Sequence, residues 1–307
     1  MIKYIEHKEI DKKKWDECIT NSVNGFIFAY SWYLDSVCEN WDALIEDDYQ
    51  AVFPLPWKKK LGISFIYQPF FLNQLGVFSP GLVSEELVDQ FLDSVPKKFE
   101  YVDTTFNCQN KAAHPDFQIT TREVQYIELH KDYRSIAGNY SENLKRNLKK
   151  AEKNNLKAVK NISPEKVVES FKLAQGKNLK VFGKKNYLQL TGLIKKLMSM
   201  GMVETIGIYT PDNILCASAS FMKSHNRIIY LKGGATDKGK DIGAMHYLMD
   251  HVIKQNAGSK LVFDFGGSVV ESLARFNKSF GAKEYVYLQA RKNNLPKVIK
   301  WLKELKK

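Results

Sequence analysis

Cysteine is scarce in this 307-residue chain and nowhere arranged for chemistry. Cys18, Cys38, Cys108 and Cys216 are scattered, with no Cys-x-x-Cys and no histidine at zinc-ligand spacing, so they read as reduced, partly buried thiols. Long apolar runs are also missing. The longest, residues 25–34, falls far short of the roughly 20 residues a membrane span needs, and it contains Ser31. Charges at Lys3 and Glu6 come too early for a signal peptide, so a soluble, cytoplasmic chain is expected. His7, His114, His130, His225, His246 and His251 form no Ser–His–Asp pattern. His246 and His251 share a predicted helix but lie five apart, not the four of paired metal ligands. A P-loop, a metal constellation and RNA-stacking signatures are all absent, and no covalently bound cofactor is expected.

What is present describes a globular protein: 44% hydrophobic and 12% aromatic residues, with length enough for two domains that each bury a core. The charge is unevenly spread. Residues 1–139 hold 14 Lys and Arg against 21 Asp and Glu, whereas the remainder holds 32 against 13. Solubility does not require such a division; a second half that handles a polyanion does explain it.

Periodicity gives an α/β (α+β) chain of two lobes, each a mixed sheet flanked by helices, divided at residues 135/136 into an acidic and a basic lobe. In the first lobe, helical spacing covers Asp11–Ser22, Ser31–Glu39 and Glu85–Val95, and strand patterns cover residues 43–45, 51–55, 63–67, 101–103 and 126–129. In the second, strands are expected at 157–159, 203–209, 215–222, 227–232, 261–265 and 285–290. Helices fall between them, and a basic C-terminal helix starts at Leu295.

Three segments carry candidate chemistry. Residues 139–153 form a helix whose Lys145, Arg146, Lys149, Lys150 and Lys153 fall within an arc of roughly 140°, opposite Leu144, Leu148 and Ala151, with Ser141 as N-cap. It is either a solvated surface face or an anion-binding stripe. The second segment, Phe263-Asp264-Phe265-Gly266-Gly267-Ser268, is a strand end running into paired glycines, followed by Arg275-Phe276-Asn277-Lys278-Ser279-Phe280-Gly281. Asp264 either orients an amine nucleophile or caps the next helix. The third, Gln68 to Gly81, mixes aromatics, amides, glycines and prolines with no period, and is either a ligand-stacking loop or part of a core.

The first two segments resemble the Fem-type aminoacyltransferases (peptidoglycan bridge-forming, methicillin-resistance-factor-like), a branch of the GNAT N-acyltransferase superfamily. The resemblance covers most of the chain, but the long helical hairpin of some members has no counterpart, so no coiled-coil arm is expected. Where that family often has lysine after the first phenylalanine of Phe-x-x-x-Phe-Gly, this chain has Asn277 and then Lys278.

The resemblance implies an N-acyltransferase, moving an aminoacyl group from aminoacyl-tRNA to an amine of a cell-wall or related precursor. It assigns Asp264 and Lys278 to catalysis, and Lys145, Arg146, Lys149, Lys150, Lys232, Gly233, Gly234, Lys238, Gly266 and Gly267 to the donor. It places Gln68, Phe70, Phe71 and Gln74 on the acceptor, which it suggests is pyrophosphate-linked. In GNAT proteins a central strand splays from its neighbour ahead of a glycine-rich turn and a helix that holds the donor's pyrophosphate. Here Tyr230 to Ala244 occupies that place. A coenzyme A thioester on a small amine is the alternative donor chemistry, and a non-catalytic nucleic-acid-binding protein the alternative class.

Overall fold

The computed structural model describes residues 1–176, 182–267 and 271–296. Two compact units emerge: Met1–Arg122 with the segment returning from Val286, and Glu123–Tyr285. The chain therefore crosses between units twice, inside two long strands.

The first unit contains β1 (Ile2–Ile5), β2 (Asn40–Glu46), β3 (Ala51–Lys60), β4 (Ile63–Ile66) and β5 (Phe99–Thr105), with α1 (Lys12–Asn21), α2 (Ser31–Val37) and α3 (Glu85–Asp93). Its strands run in the order β1-β2-β3-β4-β5, antiparallel except for the β4–β5 pair. The Asp11 carboxylate caps α1 by accepting from the Lys13 and Lys14 amides, and the helix buries Trp15, Cys18 and Ile19. Leu44, Phe53, Val88, Phe91 and Phe106 form a core of their own.

The second unit begins in β6 (Gln118–Glu128). It continues through α4 (Tyr133–Gly138), α5 (Glu142–Lys153), β7 (Lys157–Lys160), α6 (Pro164–Phe171), α7 (Lys184–Ser199), β8 (Val203–Tyr209), β9 (Leu215–Ser224) and β10 (Arg227–Ala235). Then come α8 (Asp237–Asp241), α9 (Ala244–Asn256), β11 (Val262–Asp264), α10 (Glu271–Lys278) and β12 (Lys283–Asn293). Strand order in this unit is β6-β11-β10-β9-β8-β7, with β10 and β11 parallel. One face of the sheet, through Ile206, Ile208, Ala217, Ala219 and Phe221, packs on Leu248, Val252 and Ile253 of α9. The other face is small and polar. Thr205 donates to the Ile162 carbonyl at 2.7 Å and Ser218 to the Lys166 carbonyl at 3.3 Å, so α6 lies close to the sheet.

The expected junction at 135/136 differs from the observed one. The charge break marks the start of α5, whereas packing divides the chain inside β6 at 122/123. The C-terminus does not stay with the second lobe either, because β12 pairs Gln289↔Thr105 through Asn293↔Tyr101 with β5. The helix expected from Leu295 lies for the most part outside the described residues. Among those described, the longest helix is α7 at 16 residues, and none is long and apolar enough to cross a membrane.

Candidate active site

Among the described residues, the second unit's sheet opens between β10 and β11. β10 pairs with β9 along its length, but with β11 only over Arg227↔Val262, Ile228↔Phe263 and Ile229↔Asp264. Beyond Ile229, β10 continues while β11 stops. The chain leaves through Gly266 (φ 78°) and Gly267 (φ 68°), both left-handed and therefore suited to glycine. A register shift between Tyr230 and Lys232 leaves Leu231 without an opposite residue on β9, a bulge placed where the two strands part.

A cavity of about 320 Å³ fills the opening. Its wall is formed by residues 230–235 of β10, by Met245, His246 and Met249 of α9, by Phe265, Gly266 and Gly267, and by Leu273, Phe276 and Asn277 of α10. Ala174, Gly239 and Lys240 complete it. Most of this wall is apolar, so each polar group in it stands out.

Lys232 is half-buried there. Among the described residues no carboxylate or other acceptor meets its ammonium, whose only neighbouring partner is the Phe171 ring at 5.8 Å. Burial without a counter-ion pushes its pKa down to about 8. His246 stands against Phe276, with ring centroids 4.9 Å apart. Burial, and then the positive charge of Lys150, lower its pKa to about 4, so it is a neutral imidazole at pH 7. Asn277 is 6% exposed and donates to Gln125 Oε1 at 3.2 Å. That bond fixes α10 against β6, and Gln125 in turn donates to Glu284 of β12 at 3.0 Å.

The basic helix forms as the sequence predicts. Ser141 Oγ accepts from the Leu144 amide at 3.2 Å, and Leu144 and Ala151 are buried. α5 rests on the start of α9, where Gly243 (φ 72°) has no room for a side chain. A Cβ there would lie 2.5 Å from the Asn147 carbonyl oxygen. Arg146, Lys149 and Lys150 are exposed and carry no ion pair among the described residues, whereas Lys145 is bound to Glu142 at 2.9 Å.

Of the residues singled out from the sequence, Lys232, Gly233, Gly234, Gly266 and Gly267 line the cavity. The first glycine pair has a packing reason. A Cβ at Gly233 would strike the Ser218 carbonyl oxygen, and one at Gly234 would lie 2.5 Å from that of Ser170. Lys238 is exposed on α8 and does not line the cavity, while the neighbouring Lys240 does, paired with Asp237 at 2.8 Å.

Asp264 is 2% exposed and lies outside the lining. It accepts from the Gly266 amide at 2.8 Å and Tyr285 Oη at 3.0 Å, with Arg227 at 3.4 Å, so its oxygens anchor the strand end. Lys278 faces away, paired with Glu284 at 2.9 Å; the cavity receives Asn277 instead.

In the first unit, Phe71 and Gln74 are buried, and Gln68 is spent on the Leu72 carbonyl and Thr105 amide. Phe70 alone of the four expected acceptor contacts is exposed, at 40%. The Gln68–Gly81 loop is mainly an internal layer, held by Asn110, which both accepts from the Val77 amide and donates to its carbonyl. His246 and Asn277 were not selected from the sequence as site residues. The available signal was helical: Met245, His246 and Met249 share one face of α9.

No family model and no curated protein matches the sequence. Solved structures do match. FemX superposes with a TM-score of 0.63 at 12% identity, over 93% of this chain and 96% of that one. The C-terminal DUF2156 domain of a putative lysylphosphatidylglycerol synthetase from Agrobacterium fabrum gives 0.54 at 8%, over 92% of each chain. A tandem GNAT protein from the clavulanic acid biosynthesis pathway gives 0.51 at 10%, over 96% and 99%. At these identities the likeness is one of fold: the chain has the tandem GNAT-like architecture that its motifs resemble.

Proposed function

We propose that the chain is an acyltransferase of GNAT type, moving an acyl group from an activated donor to an amine. The observation that carries this reading is the unpaired, half-buried Lys232 in the cavity opened by the parting of β10 and β11. An ammonium fixed in an apolar wall is placed to stabilise the negative oxygen of a tetrahedral intermediate, and it is worth more there than in water. The amine attacks the donor carbonyl, a C–N bond forms, and the C–O or C–S bond to the carrier breaks. The carrier's hydroxyl or thiol takes up the proton the amine gives up. The neutral imidazole of His246 offers a lone pair in the same wall, suited to orienting the amine.

Arg146, Lys149 and Lys150 would hold the carrier's phosphates. An aminoacyl-tRNA as donor and a cell-wall amine as acceptor are the finer reading drawn from the Fem resemblance and the basic second half. A coenzyme A thioester is favoured by a different observation, the absence of any carboxylate from the described cavity wall. Both carriers are found in the cytoplasm, which is the compartment this reading takes for the reaction.

Single-turnover assays with each donor and a pool of amines test this reading. Release of deacylated carrier should be lost in Lys232→Met. Binding should weaken when Arg146, Lys149 and Lys150 become Ala, with a salt slope reduced by about 0.7 to 0.9 per phosphate contact if the carrier is nucleic acid. Salt-dependent nucleic-acid binding with no turnover of either donor would establish a non-catalytic binding protein instead.

A further inference from the structure

The wall of the cavity specifies the acyl group as well as the reaction, given that the cavity is the donor site. Tyr230, Leu231, Met245, Met249, Leu273 and Phe276 are among its large, mainly apolar lining side chains, and the two methionines let it adapt to irregular aliphatic shapes. The charged groups in the wall itself are cations, Lys232 and Lys240, the latter paired with Asp237, and Lys150 is close enough to lower the pKa of His246. No Asp or Glu is among the described lining residues. Of the acids on neighbouring elements, Asp264 is engaged by Arg227 and Tyr285, Asp250 by Tyr133 and Tyr140, Asp237 by Lys240, and Glu271 by Arg275.

An aminoacyl group carries an α-ammonium next to its reacting carbonyl. Placed here, it would be desolvated beside Lys232 with no counter-ion. We infer that the cavity takes an uncharged, apolar acyl group, of aliphatic chain type, and discriminates against the same group bearing an ammonium. The transfer itself is unchanged: the amine gains the acyl group, and the carrier leaves with its hydroxyl or thiol protonated.

A matched pair of ligands isolates the ammonium. 4-Methylpentanoyl and leucyl groups share one carbon skeleton and differ only in the α-amine. Each is presented as a coenzyme A thioester and as a 3′-ester of adenosine, and binding to the full chain is measured by calorimetry at pH 6, where the amine is charged. The 4-methylpentanoyl member should bind about tenfold or more tightly on whichever carrier the chain accepts. Lys232→Met should narrow that gap, because it removes the like charge and keeps the aliphatic stem. Leucyl binding as tight as or tighter than 4-methylpentanoyl would overturn the inference while leaving the donor site intact. Failure of all four ligands to bind would overturn the donor-site reading and the inference with it.

Discussion

Lys232→Met should make the second unit more stable while removing its activity. The fall of the lysine pKa from 10.5 to about 8 measures how strongly the wall disfavours the ammonium. At 1.36 kcal/mol per unit, the full shift corresponds to about 3 kcal/mol. Partial exposure of the side chain leaves room for water to screen the charge, which reduces the expected gain from methionine to about 1–2 kcal/mol.

The sign in pH follows from proton counting. Between pH 8 and 10.5 the unfolded chain holds a proton on this amine that the folded chain has lost, so wild-type stability rises with pH across that window. Methionine has no such dependence. The advantage of Lys232→Met is therefore largest near pH 7 and closes toward pH 10.5. Urea unfolding at several pH values, with the two units resolved by separate probes, reads both effects. A destabilised variant, or a difference that does not change between pH 7 and 10.5, would refute the idea that an unpaired charge is held in this wall.

Asp264→Asn should cost about 1–2 kcal/mol: it loses the carboxylate's bonds to Arg227, Tyr285 and the Gly266 amide, but burial pushes the Asp264 pKa up, so neutralising it relieves part of that cost; losses of activity and stability should track together in parallel melts and assays. Gly267→Val should also destabilise, because φ is 68°. Gly267→Asn, which tolerates that angle, should retain the fold by circular dichroism and isolate any effect on the cavity itself.

Much of the fold was legible because its causes are local. Ser141 followed by a basic stripe opposite Leu144, Leu148 and Ala151 contains a complete helix, and α5 is found there. Lys232 could be selected because it stands at the end of a strand pattern beside two glycines. The misplaced boundary had a non-local cause: β12 pairs with β5 across some 180 residues, and nothing near Tyr285 in sequence announces that partner. Asp264 and Lys278 were selected from the Fem-type motif, yet the partners that engage them, Arg227, Tyr285 and Glu284, are a matter of tertiary packing. His246 had the reverse problem. Its interest comes from burial and from Lys150 on another helix, and spacing along α9 reveals neither.

The same packing explains why the cavity is one-signed. Asp264, the acid beside the point where β10 and β11 part, lies outside the cavity lining and is engaged by Arg227 and Tyr285. Had that carboxylate faced the cavity, it would have paired with Lys232 and raised the lysine pKa, leaving no free charge for an incoming oxygen. Turning the acid away leaves the cation unpaired, and the cost is borne as lost stability until a ligand brings negative charge or partial charge to it. A ligand bound to the folded form alone then stabilises the second unit through both contact and neutralisation. The gain should exceed that of the same ligand at the same concentration in Lys232→Met, which binds it more weakly because only the contact remains.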